Sequence, residues 1–320
     1  MRCSPWLTYI IYRRLYYLGT LLMLKDRFGR PATHVRLSVT NRCNFSCIYC
    51  HGEGLTYSSE ELSPEDWDFF IRVATELGLK HYKVTGGEPL LYDRIVDVVS
   101  SVRRYGGIPS ITTNGYLLKE FAEPLSRAGI DHINVSLHSL KRDVFAALTG
   151  CDALDRVLSG IREALNYGIK LKINYLALKP NLNEIWSLLD FASSNGLDVN
   201  VIELIPLGVS KELYESLHVD LGSIVSHLET VSIKKHVEQF QNRTVYTLPS
   251  GIKVYVIRGY GNPLMCAGCS RIRVGPDGKL KLCIYREVYL DLKQSIKARK
   301  EFEVMETLVK AVEAREPYFR

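Results

Sequence analysis

The stretch VRLSVTNRCNFSCIYC, residues 35–50, joins a β-rich run to three cysteines spaced C-x3-C-x2-C. The run 35–40 predicts a strand, so Cys43, Cys47 and Cys50, here called the first triad, lie in the loop that directly follows it. In a parallel α/β fold the loops after the strands carry the active site. The stretch therefore predicts an α/β fold with a cysteine-based site at the end of its first strand.

Short apolar runs continue to alternate with amphipathic stretches of helical length after this loop. The next predicted strands are residues 81–85, 110–114, 132–138, 171–178 and 199–206. Ser63 before Pro64 predicts the start of the first helix. Strands that are apolar on both faces and separated by helices are typical of parallel βα units. Six such units predict a partial (βα)6 TIM-like barrel, and a doubly wound open sheet is the alternative topology.

The pattern changes after residue 207. A helical stretch at 219–231 precedes two strands around a Pro-Ser-Gly turn, a hairpin around Gly-Pro-Asp-Gly and a basic helical stretch at 291–314. These features predict a smaller C-terminal α+β module. The predicted domains are an N-terminal extension at 1–24, the partial barrel at 25–210 and the C-terminal module at 211–320.

Composition indicates a globular chain in a reducing compartment. The chain has 320 residues, 46% of them hydrophobic, and a net charge of +6, which suits an anionic small substrate as well as nucleic acid. Eight cysteines are too dilute for a disulfide scaffold, and six of them fall into two tight groups, so we expect a cytoplasmic metal-binding protein. Arg13 and Arg14 interrupt the apolar residues of the extension, so no membrane-spanning helix is predicted there, and Met23 offers an alternative start.

The first triad has no fourth cysteine nearby. Three thiolates leave one iron of a 4Fe-4S cube open, and an open iron can chelate a small molecule. A structural zinc ion would need a fourth ligand from elsewhere, and His51 adjoins Cys50 too closely to wrap the same tetrahedral ion well. The triad therefore favours a cluster completed by a substrate or cofactor over zinc.

Two further motifs are weak when taken alone. Cys266, Cys269 and Cys283, here called the second triad, are spaced C-x2-C-x13-C and give a zinc-like signal. The segment TGGEP, residues 85–89, follows the second predicted strand, and its glycines permit a close approach of the backbone. By itself that segment is an ordinary strand-to-helix turn.

Taken together, the first triad with Tyr49 before its last cysteine and the TGGEP segment resemble the signature of the radical S-adenosylmethionine superfamily. The resemblance implies a partial (βα)6 barrel that binds a 4Fe-4S cluster on the first triad and cleaves S-adenosylmethionine to a 5′-deoxyadenosyl radical. It implies six cofactor-binding residues, namely Tyr49, Gly86, Gly87, Glu88, Ser136 and Ile205.

The second triad, followed by Arg271 and Arg273, resembles the MoaA family of GTP 3′,8-cyclases over residues 25–290. This resemblance implies a second 4Fe-4S cluster, held by the second triad in an auxiliary-cluster domain, that binds the guanine of GTP. It implies the substrate-binding residues Arg36, Lys83, Thr112, Lys172, Arg271, Ile272 and Arg273, with Arg273 also catalytic. A triphosphate carries roughly four negative charges and needs several fixed cations, which the arginines and lysines among these residues supply.

The resemblance also implies a reaction and its partners. The deoxyadenosyl radical takes hydrogen from C3′ of GTP, and C3′ then bonds to guanine C8, in the first step of molybdenum cofactor biosynthesis. An external electron donor of ferredoxin or flavodoxin type and cyclic pyranopterin monophosphate synthase as the next enzyme follow from it. A homodimer is left open, whereas nucleic acid and membrane partners are not expected. The chain departs from the family pattern at Ile205, His138 and Asn200, where methionine, aspartate and arginine are common.

Two other functions remain as alternatives. A radical enzyme with an auxiliary cluster acting on a peptide or heme precursor would usually carry more C-terminal cysteines than three. A non-catalytic zinc or iron-sulfur module for RNA would leave TGGEP and the cations unexplained, and the sequence has no aromatic-basic nucleic-acid motif.

Overall fold

The computed structural model describes residues 24–318. Six strands follow the predicted alternation, and each pairs in parallel with the next along the chain. They are β1 (His34–Ser38), β2 (His81–Thr85), β3 (Ile108–Thr113), β4 (His132–Ser136), β5 (Lys170–Ala177) and β6 (Asp198–Glu203). Because the order in space follows the order in sequence without reversal, the sheet is of the barrel type and not doubly wound.

The α-helices that connect these strands agree with the sequence pattern except in one place. They are α1 (Pro64–Glu76), α2 (Ile95–Arg104), α3 (Leu118–Arg127), α4 (Arg142–Thr149), α5 (Leu154–Asn166) and α6 (Ile185–Ser194). Ser63 caps α1 as predicted, because its side chain accepts from the Asp66 N–H while the Asp66 carboxylate accepts from the Ser63 N–H. Helix α4 was not predicted, and Gly150 ends it in the left-handed conformation with φ of 69°.

The C-terminal third contributes strands to both edges of the barrel sheet. Its strands are β7 (Lys234–Val237), β8 (Thr244–Thr247), β9 (Lys253–Ile257), β10 (Arg271–Val274), β11 (Lys279–Lys281) and β12 (Tyr289–Asp291). Its helices are α7 (Lys211–Leu217), α8 (Gly222–Val231), α9 (Pro263–Ala267), α10 (Lys293–Lys297) and α11 (Glu301–Glu313). Strand β9 lies parallel to β6 and β10 lies parallel to β1, and the two predicted hairpins, β8–β9 and β10–β11, are present. The predicted domain boundary between residues 210 and 211 stays a prediction, since the sheet is continuous across it.

Side chains on the barrel strands alternate between a hydrophobic core and a polar interior. Leu37 and Val84 are fully buried in the core between strands and helices. Arg36 and Lys83, one position earlier on the same strands, line the interior. An interior lined by charged side chains cannot be a packed core, so it is a binding cavity.

No helix within residues 24–318 is long and apolar enough to cross a membrane. The predicted extension lies outside the described residues up to Met23.

Candidate active site

The barrel interior forms a cavity of about 900 Å³. Every residue predicted to bind metal, cofactor or substrate lines this cavity except Ile272. The Ile272 side chain is buried in the core, because it lies between Arg271 and Arg273 on β10 and therefore points to the opposite face. The structure thus brings the predicted residues together, while the role of each one stays a prediction.

The two triads lie at opposite ends of the cavity. The first triad follows β1, whereas Cys269 precedes β10, which runs parallel to β1 with Arg271 opposite His34. Cys283 follows β11, which is antiparallel to β10 and therefore returns to the end where Cys269 lies. A strand of five residues such as β1 spans roughly 16 Å, so the length of the barrel separates the triads.

The loop that carries the first triad is fixed by backbone hydrogen bonds to the end of α4. Ser46 donates to the Thr149 carbonyl at 3.0 Å and Ile48 to the Leu148 carbonyl at 3.1 Å. Cys43 and Cys50 remain exposed, while burial raises the pKa of Cys47 to about 11. The loop therefore presents three thiols to one space without their own side chains filling it.

Tyr49, a residue of this loop, packs against His138. Its ring lies edge-on to the His138 ring with centroids 5.0 Å apart. Burial raises the Tyr49 pKa well above its ordinary value, so the hydroxyl stays protonated. The His138 Nδ1 atom accepts a hydrogen bond of 3.0 Å from the Leu176 N–H, and burial lowers the His138 pKa to about 4.

The glycines of TGGEP are required by the protein's own packing. A Cβ atom on Gly87 would lie 2.2 Å from the Arg42 carbonyl oxygen, and one on Gly86 would lie 2.5 Å from that of Thr40. Both distances are far below van der Waals contact, so any side chain there would displace the loop before the first triad. The close approach expected from the glycines is thus made to residues 40–42.

Glu88, the next residue, uses its side chain within the protein. Its carboxylate accepts hydrogen bonds from the Thr113 hydroxyl at 2.6 Å and the backbone N–H groups of Asn114 and Leu90 at 2.7 and 3.0 Å. Burial raises its pKa to about 7 despite these donors. The residue therefore connects the ends of β2 and β3.

The second triad sits on a short helix and a strand end. Cys266 belongs to α9, and the Cys269 N–H donates to its carbonyl at 3.0 Å. Burial opposes ionisation of Cys269, but the charges of Arg271, Arg315 and Arg273 outweigh it and lower the Cys269 pKa. Within residues 24–318 no three His, Cys, Asp or Glu side chains are placed as a preformed metal site, and this holds for a zinc ion and for a cluster alike.

The predicted substrate cations belong to strands: Arg36, Lys83, Lys172 and Arg273 lie within their strands, and Arg271 begins β10. Arg36 is opposite Lys83 on β2 and opposite Arg273 on β10. Burial, followed by the charges of Arg36 and Arg271, lowers the Lys83 pKa well below its ordinary value. Lys172 lies 3.6 Å from Asp198 and 4.0 Å from the centre of the Tyr255 ring. The cavity is thus lined by several cations, and Lys172 has a carboxylate beside it.

Glu53 is a site residue that the sequence analysis missed. It binds Arg36 through both carboxylate oxygens and accepts a 3.0 Å hydrogen bond from the Thr85 hydroxyl. Burial opposes its ionisation, but the charge and hydrogen bonds of Arg36 hold the Glu53 pKa below its ordinary value. Its φ of 56° is left-handed, between Gly52 and Gly54 with the same sign of φ. The GEG sequence was the available signal.

Several other residues that line the cavity were also missed. Five of them are polar residues at inward-facing strand positions, which strand alternation could have identified: His34, His81, His132, Asn134 and Asn174. His34 stacks between His81 and Phe240 with centroids 4.3 Å apart on each side. Arg243 and Phe240 line the cavity from the segment before β8, and no local signal announces them.

Comparison with known proteins identifies the family. The model of the Radical SAM superfamily matches residues 37–192, and the Molybdenum Cofactor Synthesis C model matches residues 197–320. The "Probable GTP 3′,8-cyclase" of Saccharolobus islandicus (strain M.14.25 / Kamchatka #1) is 40% identical over 304 residues, covering 92% of this chain and 98% of that protein. The protein of the same name from Metallosphaera sedula is 42% identical over 266 residues, covering 82% and 84%. The chain belongs to the GTP 3′,8-cyclase family.

Two solved structures, SuiB and anSMEcpe, share the fold of this chain. Streptococcus suis SuiB bound to S-adenosylmethionine has a TM-score of 0.63 at 15% identity, covering 95% of this chain and 70% of SuiB. Native anSMEcpe with bound AdoMet has a TM-score of 0.59 at 15% identity, covering 87% and 82%. At this identity the comparison confirms the α/β barrel fold and nothing more specific.

Membership of this cyclase family and its superfamily implies S-adenosylmethionine and an iron-sulfur cluster, and the first triad fits such a cluster. The cysteines within residues 24–318 form no disulfide with one another. Burial raises the pKa of Cys43, and the Phe45 N–H, which donates to the Cys43 sulfur at 3.4 Å, acts against this shift and favours the thiolate a cluster needs. The three thiols and the facing glycine segment thus match what the family requires at this end.

Proposed function

We propose that this protein is a GTP 3′,8-cyclase that converts GTP to 3′,8-cyclo-7,8-dihydroguanosine 5′-triphosphate in the first step of molybdenum cofactor biosynthesis. The observation that carries the proposal is one cavity with a cysteine triad at each end and buried cations between them. A single-cluster radical enzyme has no need of a second triad, and a cation-lined interior suits a polyphosphate.

The C-terminal ends of the strands form the cofactor end. A cluster on the first triad, when bound, supplies the electron that cleaves the sulfonium of S-adenosylmethionine to a 5′-deoxyadenosyl radical. Tyr49, Gly86, Gly87, Glu88, Ser136 and Ile205 line the space beside this triad and are assigned to the cofactor. Ile205 offers only an apolar contact.

The N-terminal ends of the strands form the substrate end. The second triad is assigned to a second 4Fe-4S cluster with an open iron for the guanine. Arg36, Lys83, Lys172, Arg271 and Arg273 are assigned to the triphosphate, with Thr112 as a neutral donor. Burial and the charges of neighbouring arginines lower the Lys83 pKa, and a bound triphosphate would act in the opposite direction and raise it.

Arg273 is assigned to the reacting part of GTP. Its Nε atom is buried and has no hydrogen-bond partner among the described residues, so this donor is available to a ligand. In the proposed reaction C3′ loses a hydrogen atom to the deoxyadenosyl carbon and bonds to C8. The resulting nitrogen-centred radical then takes one proton at N7 and one electron, which is the second electron that the external donor must supply in each turnover. Arg273 stays cationic and stabilises the negative charge that this reduction adds.

The proposed reaction needs partners outside the chain. An electron donor of ferredoxin or flavodoxin type reduces the cluster on the first triad before each cleavage. The cyclised triphosphate is the substrate of cyclic pyranopterin monophosphate synthase, the next enzyme in the pathway.

The test combines metal analysis with two matched triple variants. The wild-type protein, reconstituted anaerobically, is expected to contain about eight irons, and Cys→Ala variants of either triad about four. With dithionite, S-adenosylmethionine and GTP, the wild type should form 5′-deoxyadenosine and the cyclised nucleotide. The second-triad variant should form 5′-deoxyadenosine without the cyclised nucleotide. Deoxyadenosine formation that is equal with GTP, ATP or no nucleotide, together with no cyclised product, would contradict the assignment of GTP.

A further inference from the structure

The two described ends of the chain meet behind the second triad. Asp26 and Arg30 lie before β1, and Arg315 lies just after α11. Their side chains are almost fully buried, with exposed fractions of 0% for Asp26, 10% for Arg30 and 4% for Arg315. We call these three residues the arginine brace.

Asp26 orients both guanidinium groups of the brace. Its Oδ2 atom accepts from the Arg30 Nε at 2.7 Å and lies 3.6 Å from the Arg315 Nε. Its Oδ1 atom accepts from the backbone N–H groups of Phe28 and Arg30 at 3.0 and 2.9 Å. The carboxylate is therefore fixed by its own turn, and it fixes the two arginines in turn.

The arginines bind the backbone of the second triad directly. Arg30 donates through Nη1 to the Cys266 carbonyl at 3.0 Å, and Arg315 donates through Nη2 to the Cys269 carbonyl. Arg30 also donates to the carbonyls of Glu316 and Pro317, and Arg315 also donates to that of Pro31. Both carbonyls that flank the C-x2-C turn are thus held by planar forks that allow little rotation.

The charges of the brace do not balance. Two guanidinium groups share one carboxylate, so one positive charge stays buried without a formal counter-charge among the three residues. A buried excess charge is unfavourable unless an opposite charge lies nearby. Three thiolate ligands carry more negative charge than the core of a 4Fe-4S cube cancels, so a cluster on the second triad would be anionic and would supply the missing charge.

We propose that the arginine brace positions the second cluster, by fixing the Cys266–Cys269 turn and by placing a positive charge behind the cluster. The inference goes beyond the proposed function and rests on it, because it presupposes a cluster on the second triad. A positive charge behind the cluster favours the reduced state, since reduction adds an electron. The brace therefore raises the midpoint potential of the second cluster and leaves that of the first unchanged.

The test compares Arg315→Gln with Arg315→Lys in the reconstituted full-length protein. Arg315→Gln removes the charge and the fork, so we expect either loss of the second cluster, from about eight irons to about four, or a more negative midpoint potential for it. Arg315→Lys keeps the charge but cannot replace the fork. It should keep the midpoint potential near that of the wild type while losing iron to a chelator several times faster.

Arg299→Gln is the matched control. Arg299 binds Asp66 at 2.6 Å and ties the C-terminal helices to α1 without contacting the second triad. This variant should keep about eight irons and both midpoint potentials, which separates a loosened C-terminus from a direct effect on the cluster. Iron and sulfide content, potentiometric titration followed by EPR, and chelation rates are the measurements.

The possible outcomes distinguish a failure of the arginine brace proposal from a failure of the proposed function. Eight irons and unchanged potentials in Arg315→Gln would overturn the brace alone. If Arg315→Gln does not fold, a wild-type rate of iron loss in Arg315→Lys would overturn it. About four irons in the wild type would refute the second cluster itself, and the brace proposal with it.

Discussion

Arg36 on β1 lies directly opposite Arg273 on β10, and Glu53 binds Arg36 through both oxygens of its carboxylate. Two guanidinium groups thus face one cavity from the first and last parallel strands of the barrel sheet. The proposed triphosphate site is therefore complete only when the C-terminal third of the chain has added β10 beside β1. In the ligand-free protein, the Glu53 carboxylate offsets part of the positive charge of these two guanidinium groups.

Glu53→Gln should lower the free energy of unfolding of the ligand-free protein by about 3 kcal/mol, because it leaves Arg36 buried without its counter-charge. GTP should stabilise the variant more than the wild type, since the triphosphate can replace the lost charge. The measurement is urea unfolding with and without saturating GTP. An equal increment from GTP in both proteins would show that Glu53 and the triphosphate do not act on the same cations.

Arg273→Lys should lower the rate of cyclised product by about 10- to 100-fold, because a lysine retains the charge but not the planar fork. Formation of 5′-deoxyadenosine should persist, since the substitution leaves the first triad and the proposed cofactor-binding residues unchanged. The two products are measured in one assay. Arg104→Lys, on an exposed surface, serves as the control. A constant ratio of the two products would remove Arg273 from the reacting part of GTP.

Gly87→Ala should abolish deoxyadenosine formation, because the added methyl group would lie 2.2 Å from the Arg42 carbonyl oxygen and displace the loop that leads to the first triad. The free energy of unfolding should fall by about 2 kcal/mol. Gly106→Ala is the control, since its φ of 79° is unfavourable for alanine but no atom lies within 4 Å of the added carbon.

The Gly106 variant should lose about 1 kcal/mol of stability and keep its activity. Deoxyadenosine formation without GTP and denaturant unfolding measure the two effects separately. Activity in Gly87→Ala comparable to that of the Gly106 control would show that the close packing of TGGEP is dispensable.

Local sequence patterns were sufficient for six βα units, whereas the choice of a barrel over a doubly wound sheet required the strand order of the structure. Strand alternation and capping residues such as Ser63 are local properties, so six βα units follow from them. The triads and TGGEP led to a prediction only in combination, because TGGEP and the second triad are weak signals when taken alone. Alternation explains in retrospect why Arg271 and Arg273 line the cavity, whereas Ile272, which was also predicted to bind substrate, is buried in the core.

Local patterns could not predict which strand pairs with β10. The parallel pairing of β10 with β1 joins segments that are far apart in the sequence, and no turn or motif specifies it. The same holds for Arg243 and Phe240, which reach the cavity through the pairing of β8 with β9. The cations were therefore predicted as a group, but the pairing that places Arg273 opposite Arg36 was not.

His138 should make the protein less stable in acid, because its Nδ1 atom accepts the Leu176 N–H and cannot be protonated without losing that bond. Burial lowers its pKa from 6.5 to about 4 in the folded state. Between these values the unfolded chain binds more protons than the folded one, so stability rises with pH. The contribution is present above the unfolded pKa and is lost as pH falls towards about 4.

The variant His138→Asn keeps an acceptor for Leu176 but does not titrate, so it isolates this contribution. On going from about pH 7 to about pH 4.5, the wild type should lose about 2 kcal/mol more stability than the variant. Urea unfolding at both pH values measures the difference, and comparison side by side cancels the other titrating groups. His227→Asn, at an exposed position, is the control for removing a histidine. If His138→Asn and the wild type were equally sensitive to acid, the prediction would be wrong. The folded protein would then bind a proton on His138 in spite of the hydrogen bond from the Leu176 N–H.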